Sequence, residues 1–138
     1  PSPQPQSPIP FFGLALVDEL MSNISSKKNI VLDARSNDRF HGENETIDPI
    51  GGHIPGAINH FFKNNLSATT FKAPEQLYKQ FLELLGSAKA SEVIHSCGSG
   101  VSACHNLLAM EAAGLKGSRL YVGSWSEWCS NPDRPIEL

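Results

Sequence analysis

With 138 residues, 40% of them hydrophobic and 18% charged, the chain has the size and composition of one globular domain around a single core. Its net charge of -3 and its scattered Lys and Arg residues leave no basic face for nucleic acid. No apolar run approaches the roughly 20 residues that cross a bilayer, and no basic-plus-apolar leader opens the chain, so a membrane is not expected as a partner either. The cysteines Cys97, Cys104 and Cys129 are an odd set without CxxC spacing, which favours free thiols in a reducing compartment and a cytoplasmic location. With His95 and His105 they make no zinc-ligand spacing, so no metal and no cofactor is expected.

The opening PSPQPQSPIP, residues 1–10, offers nothing to bury and reads as a Pro-rich linker or tail. The globular part is expected over 11–138. Phe11–Ala15 suits a short first strand and Val17–Ile24 a short amphipathic helix. Ser25–Lys28 is a polar break. NIVLDAR, Asn29–Arg35, is a buried strand with its polar groups at the carboxyl end. The polar stretch SNDRFHGENETIDPIGG, residues 36–52, is a longer loop than a compact domain carries without a use for it. HIPGAIN, His53–Asn59, joins a Pro-Gly turn to a second short apolar run. Pro74 opens a helix whose Leu77, Phe81, Leu84 and Leu85 share a face and which stops at Gly86. Glu92–Ser96 is another buried strand, Ser102–Ala113 a helix ended by Gly114, and Arg119–Gly123 a last strand over which SWSEWC turns back.

Strands alternating with helices predict an α/β fold, a mostly parallel sheet with helices on both faces. Ligands of such sheets sit beyond the carboxyl ends of the strands, and Arg35, Cys97 and Gly123 all fall at such ends. The loop CGSG is the most informative. Gly98-Ser99-Gly100 must bend the chain between strand and helix, and a loop so curled aims consecutive amides inward as an anion nest. The helix N-terminus adds its unpaired N–H groups. Such surroundings favour a thiolate without any cationic side chain, lowering a cysteine from about 8.5 to about 3.5–7.5. A packed core cysteine would not require a glycine-rich cradle after it.

CGSGVSAC resembles the active-site loop of the rhodanese superfamily, and within it the 3-mercaptopyruvate sulfurtransferase branch; LDAR, GHIPGAIN and GSWSEW resemble the family's accessory motifs in the right order. The resemblance implies a rhodanese-like three-layer fold with a five-stranded, mostly parallel sheet. It implies sulfur transfer through a Cys97 persulfide from 3-mercaptopyruvate, or alternatively thiosulfate, to a thiol such as thioredoxin, a small thiol, or cyanide. Ser99 would assist proton movement, while the amides of Gly98, Gly100, Val101 and Ser102 hold the persulfide's charge and Arg39 binds the donor's carboxylate. The loop lacks the basic residues of thiosulfate-preferring relatives, and ETIDPIG lacks a second carboxylate-binding arginine usual in the branch. The branch has two rhodanese domains, so the resemblance also implies an N-terminal partner domain, with the present chain as the catalytic half.

The remaining residues lean structural: Asp33 as a loop anchor paired with Arg35, His53 in a turn, Cys104 and the two tryptophans in the core. Two other functional classes share features of the loop. A Cys-based phosphatase needs arginine six residues after the cysteine, where this chain has Ala103. A non-catalytic or sulfur-relay module acting through protein partners remains an alternative to a small-molecule enzyme.

Overall fold

Four consecutive residues, Ile30–Asp33, form the strand β2, and Val93–Ser96 form β6, paired in parallel with Ile30 opposite Val93 and Asp33 opposite Ser96. Each run opens apolar and ends polar, and every residue but Ile30 is buried, as in a strand covered on both faces. In the computed structural model, which describes residues 13–45, 48, 50–68, 70–98 and 101–138 and of Val101 the backbone alone, these two strands lie at the centre of a five-stranded sheet. The order is β1 (Gly13–Leu14), β7 (Arg119–Leu120), β6, β2, β3 (Ile58–Asn59), parallel throughout.

The period-two alternation divides the core. Val31 and Ile94 face one way and pack with Leu20, Tyr121, Trp125 and Trp128, from α1 (Val17–Ser26), the segment after β7, and α5 (Ser124–Trp128). Leu32 and Val93 face the other way and meet Leu77, Phe81 and Leu85 of α3 (Pro74–Leu85) and Ala109 and Met110 of α4 (Val101–Ala112). Helices therefore cover both faces, giving the expected three layers. Leu84, placed with the buried face of α3 from its spacing, is only partly buried and packs at the edge of that cluster.

Several boundaries differ from the sequence reading for identifiable reasons. Helix α1 runs two residues past Ile24 because Lys27, in the left-handed region at φ 54°, closes it with an N–H bond of 2.8 Å to the Asn23 carbonyl. The long polar stretch contains a short helix, α2 (Asn37–Phe40), where Asp38 accepts hydrogen bonds from Ser36, from Asn44 (2.9 Å) and from the Arg39 amide (2.8 Å). A two-stranded hairpin unforeseen from the pattern, β4 (Leu66–Ser67) with β5 (Thr70–Phe71), precedes α3. The last strand stops at Leu120, and SWSEW is helical. Residues 1–12, which hold the Pro-rich segment and the start of the expected first strand, lie outside the described residues, as do Thr46, Ile47, Pro49, Thr69, Ser99 and Gly100.

Candidate functional site

The sheet brings the expected carboxyl-terminal ends together. Cys97 follows directly on β6, two positions beyond His95, and shares the α4-facing side with Ala34, Ala103, Leu107 and Leu120. Its thiol-bearing residue is only 1% exposed, yet it helps line a pocket of about 320 Å3. Cys97 therefore forms the floor of a cleft, and a reactant must reach it from above. A larger groove of about 640 Å3 lies by α3 and is lined by His60, Lys72, Gln80 and neighbours, but none of its lining residues is a cysteine, serine or threonine.

Two elements fix the backbone at Cys97. The Ser124 hydroxyl accepts the Cys97 N–H at 3.0 Å, donates to the Tyr121 carbonyl at 2.8 Å, and lies 3.9 Å from the Cys97 sulfur. Ser124 is fully buried and holds a left-handed φ of 52°, a costly conformation for a residue with a side chain. A Cβ at the preceding Gly123 would stand 2.7 Å from Cβ of Glu127, so glycine is needed there. The amides of Trp125 and Ser126 then donate to the carbonyls of Cys97 and Gly98 at 2.8 and 2.9 Å. Ser124 was not singled out in the sequence; its signal was the GSWSEW motif, whose tryptophans drew the attention instead.

Three walls rise around the sulfur. One is α2 with the residues before it. Arg35 is buried and forks onto Asp33, with Nη2 at 2.7 Å from Oδ2 and Nε at 3.0 Å from Oδ1, while the same Nη2 reaches the Gly52 carbonyl at 2.6 Å. Its guanidinium carbon lies 5.1 Å from the centroid of the Trp125 ring. The Asp33–Arg35 pairing expected from the sequence is thus present, and Trp125 backs the wall as well as the core. Arg39 reaches the loop as well: its Nη2 and Cδ of Arg35 each lie 3.9 Å from where a Cβ on Gly98 would be. That nitrogen also donates to Glu45 at 2.9 Å, and Nε of Arg39 is buried without a hydrogen-bond acceptor among the described residues.

The second wall comes from the chain beyond β3. His60 N–H bonds the Asp33 carbonyl at 2.9 Å and Phe62 N–H bonds the Ala34 carbonyl at 3.1 Å, which carries Phe61, Phe62 and Lys63 onto the rim. Below them a buried polar triangle ties this segment to α4: His60 Nε2 to Asn65 Oδ1 at 2.8 Å, Asn65 Nδ2 to Asn106 Oδ1 at 2.7 Å, and Asn106 Nδ2 to the His60 carbonyl at 2.9 Å. The third wall is the start of α4, where Ser102 lines the pocket, with Ser126 and Asp48 nearby. Ser99 and Gly100 lie outside the described residues, so the cradle itself is seen only through Cys97, Gly98 and the first turn of α4 from Val101.

The structural expectations for other residues hold. His53 bonds the Phe40 carbonyl through Nδ1 at 2.7 Å and Glu137 through Nε2 at 3.1 Å, and stacks on the Phe40 ring at 3.7 Å. It fastens the chain's end to α2 rather than facing the pocket. Cys104 packs partly against the cluster around Cys97, and burial, with the neighbouring Cys97, pushes its thiol up. Trp128 is fully buried, its indole N–H on the Pro135 carbonyl at 2.8 Å. Among the described residues no group of three or more His, Cys, Asp or Glu side chains could hold a metal, and no helix is long and apolar enough to cross a membrane.

Comparison with known proteins places this geometry. A family model described as Rhodanese-like domain matches residues 16–131. A protein of Pseudomonas aeruginosa named probable 3-mercaptopyruvate sulfurtransferase is 51% identical over 107 residues, covering 77% of this chain and 38% of that protein. The thiosulfate sulfurtransferase of Bos taurus is 34% identical over 119 residues, 83% of this chain and 40% of that one. The structure of 3-mercaptopyruvate sulfurtransferase from Leishmania major superposes with a TM-score of 0.72 at 32% identity, covering 91% of this chain and 34% of that one. The chain thus spans about two fifths of the length of the curated relatives it matches.

Proposed function

Because this chain belongs to the rhodanese-like family, we propose that it is the site of a sulfur transfer in which Cys97 carries the sulfur as a persulfide, with 3-mercaptopyruvate as the favoured donor. The observation that carries the reading is the placement of Cys97 on the floor of a cleft, at the carboxyl end of a central strand, beneath Arg39 and against the first turn of α4.

In the first half-reaction the Cys97 thiolate attacks the donor's sulfur. The new S–S bond forms as the C–S bond breaks, and its electron pair leaves on the enolate of pyruvate, which takes up a proton. Arg39, on the lining of the pocket, receives the donor's carboxylate through its guanidinium. The amides from Gly98 through Gly100 and Val101 to Ser102 hold the charge of the outer sulfur, with the hydroxyl of Ser99 relaying the proton to the enolate. In the second half-reaction an acceptor thiolate, such as thioredoxin or a small thiol, attacks the outer sulfur and releases the Cys97 thiolate. Cysteines outside any disulfide suit a reducing compartment, and we assign the activity to the cytoplasm.

Thiosulfate is the second reading, supported by the name of the bovine relative. Against it, Glu45 and Asp48 bring carboxylates to the same pocket, a poorer setting for a dianion than for a donor with one carboxylate. The test is intact mass after incubation with each donor separately. Wild type should gain one sulfur, lost again on adding a thiol, and Cys97→Ser should gain none; a folded wild-type chain that gains none from either donor would sink the proposal.

A further inference from the structure

The charges around the pocket nearly cancel, and the residue that tips the balance is not an arginine. Arg35 is neutralised by Asp33, in a pair with both side chains only 3% exposed. Arg39 is neutralised by Glu45 at 2.9 Å, and the Glu45 side chain is itself only 7% exposed. Glu45 also lies 3.9 Å from Nη1 of Arg35, so one carboxylate serves two guanidiniums. Asp48 adds a further negative charge, with Oδ2 buried and lacking a hydrogen-bond partner among the described residues. The remaining cation on the lining is Lys63. It is exposed, makes no ion pair among the described residues, and has its ammonium 5.8 Å from the centroid of the Phe61 ring.

We propose that Lys63 is the residue that draws anionic donors to Cys97 and sets the preference for them, with Arg39 supplying hydrogen bonds but, while paired with Glu45, almost no net charge. This rests on the sulfurtransfer reading for the identity of the donor, though not for the charge of the pocket. The physical basis is that an ion pair appears from a distance as a dipole, whose field falls off faster than that of a lone charge. Lysine suits the role: a mobile point charge on a long stem can follow a donor inward, whereas a fork locked on a carboxylate cannot. The segment that presents Lys63 is rigid, because Asn65, two residues on, is buried and bonded to Asn106. A rigid base with a free tip places the charge at the mouth without blocking it.

The test separates this inference from the reaction. The 138-residue chain is alkylated at low salt with iodoacetate, an anion, and with iodoacetamide, its neutral analogue, and the rate at Cys97 is read on the peptide that contains it. The ratio of the two rates reports pocket charge whether or not the protein transfers sulfur. One unit charge across a pocket of this size, partly screened, changes that ratio about threefold to tenfold. Lys63→Met should lower the ratio by that factor and Lys63→Arg should keep it. Glu45→Gln, which frees the charge of Arg39, should raise it. In turnover, Lys63→Met should raise KM for 3-mercaptopyruvate by a similar factor with little change in kcat. A ratio unchanged in Lys63→Met overturns the inference even if persulfide forms normally, and so does an unchanged ratio in Glu45→Gln. Absence of persulfide in wild type, with the ratios shifting as stated, overturns the sulfurtransfer reading alone.

Discussion

Acidification should destabilise this protein through a histidine that lies two residues before Cys97. His95 is fully buried on β6, and neither ring nitrogen has a hydrogen-bond partner among the described residues. Burial, with a smaller contribution from the nearby charge of His60, pushes its pKa down from 6.5 to about 3. The unfolded chain therefore binds a proton at His95 between these values that the folded chain refuses. Stability is complete above about pH 6.5 and is lost progressively as the pH falls toward 3. At pH 4 some two and a half units of that gap have been crossed, which at about 1.4 kcal/mol per unit costs about 3 kcal/mol. Against a typical stability of about 5–15 kcal/mol this is a large share. His60, also lowered chiefly by burial, adds in the same direction. Urea unfolding at pH 7 and pH 4 measures the loss, and His95→Leu, which keeps an apolar group of similar size and removes the titration, should reduce it by most of that amount. If His95→Leu loses as much stability as wild type over the same pH interval, the reasoning about an unpartnered buried imidazole is wrong.

Other outcomes can be checked alongside. Ser124→Ala strands the buried Cys97 N–H and Tyr121 carbonyl, and should cost about 1–3 kcal/mol per group in urea unfolding while altering the alkylation rate of Cys97; Ser124→Gly tolerates the left-handed φ but lacks the hydroxyl, so a glycine variant as stable as wild type would count against the hydrogen bonds. Asn106→Ala opens the polar triangle and leaves Asn65 Nδ2 and the His60 carbonyl without those partners, again about 1–3 kcal/mol each, together with a looser Lys63 segment seen as faster amide exchange at residues 61–65. Asp38 should titrate near pH 2 by carboxyl NMR, held down first by Ser36, then by Asn44 and the Arg39 amide. Its support for α2 is present above the ordinary range near 4 and is lost as pH falls through 2, and Ser36→Ala should move the midpoint upward.

What could be read in advance divides along a physical line. Helix α3 was legible because Leu77, Phe81 and Leu85 repeat at a helical interval between a proline start and a glycine stop, all local features. The parallel direction of the sheet followed from strands alternating with helices, though its strand order did not, and Cys97 and Arg35 reached one rim because parallel strands end on the same side. The short helix α2 was hidden because its start depends on Ser36, Asp38 and Asn44 bonding one another, which hydropathy does not register.

The residues missed at the site share a different property: each acts through a partner far away in sequence. Ser124 serves the amide of Cys97 across 27 positions, and Asn106 holds the His60 carbonyl across 46. Lys63 looks like an ordinary exposed lysine until the bonds from His60 and Phe62 to the end of β2 turn its segment onto the rim. Arg39 shows the converse. Its match to the family's carboxylate-binding arginine implied a role toward the donor, but its charge can be judged only once Glu45 is known to lie 2.9 Å away. Motif spacing locates a nucleophile because strand and loop are contiguous; the field that selects its reactant is set by residues brought together by folding. In this chain the same carboxylate that steadies Arg39 and approaches Arg35 therefore passes the task of attraction to a lysine outside every recognisable motif.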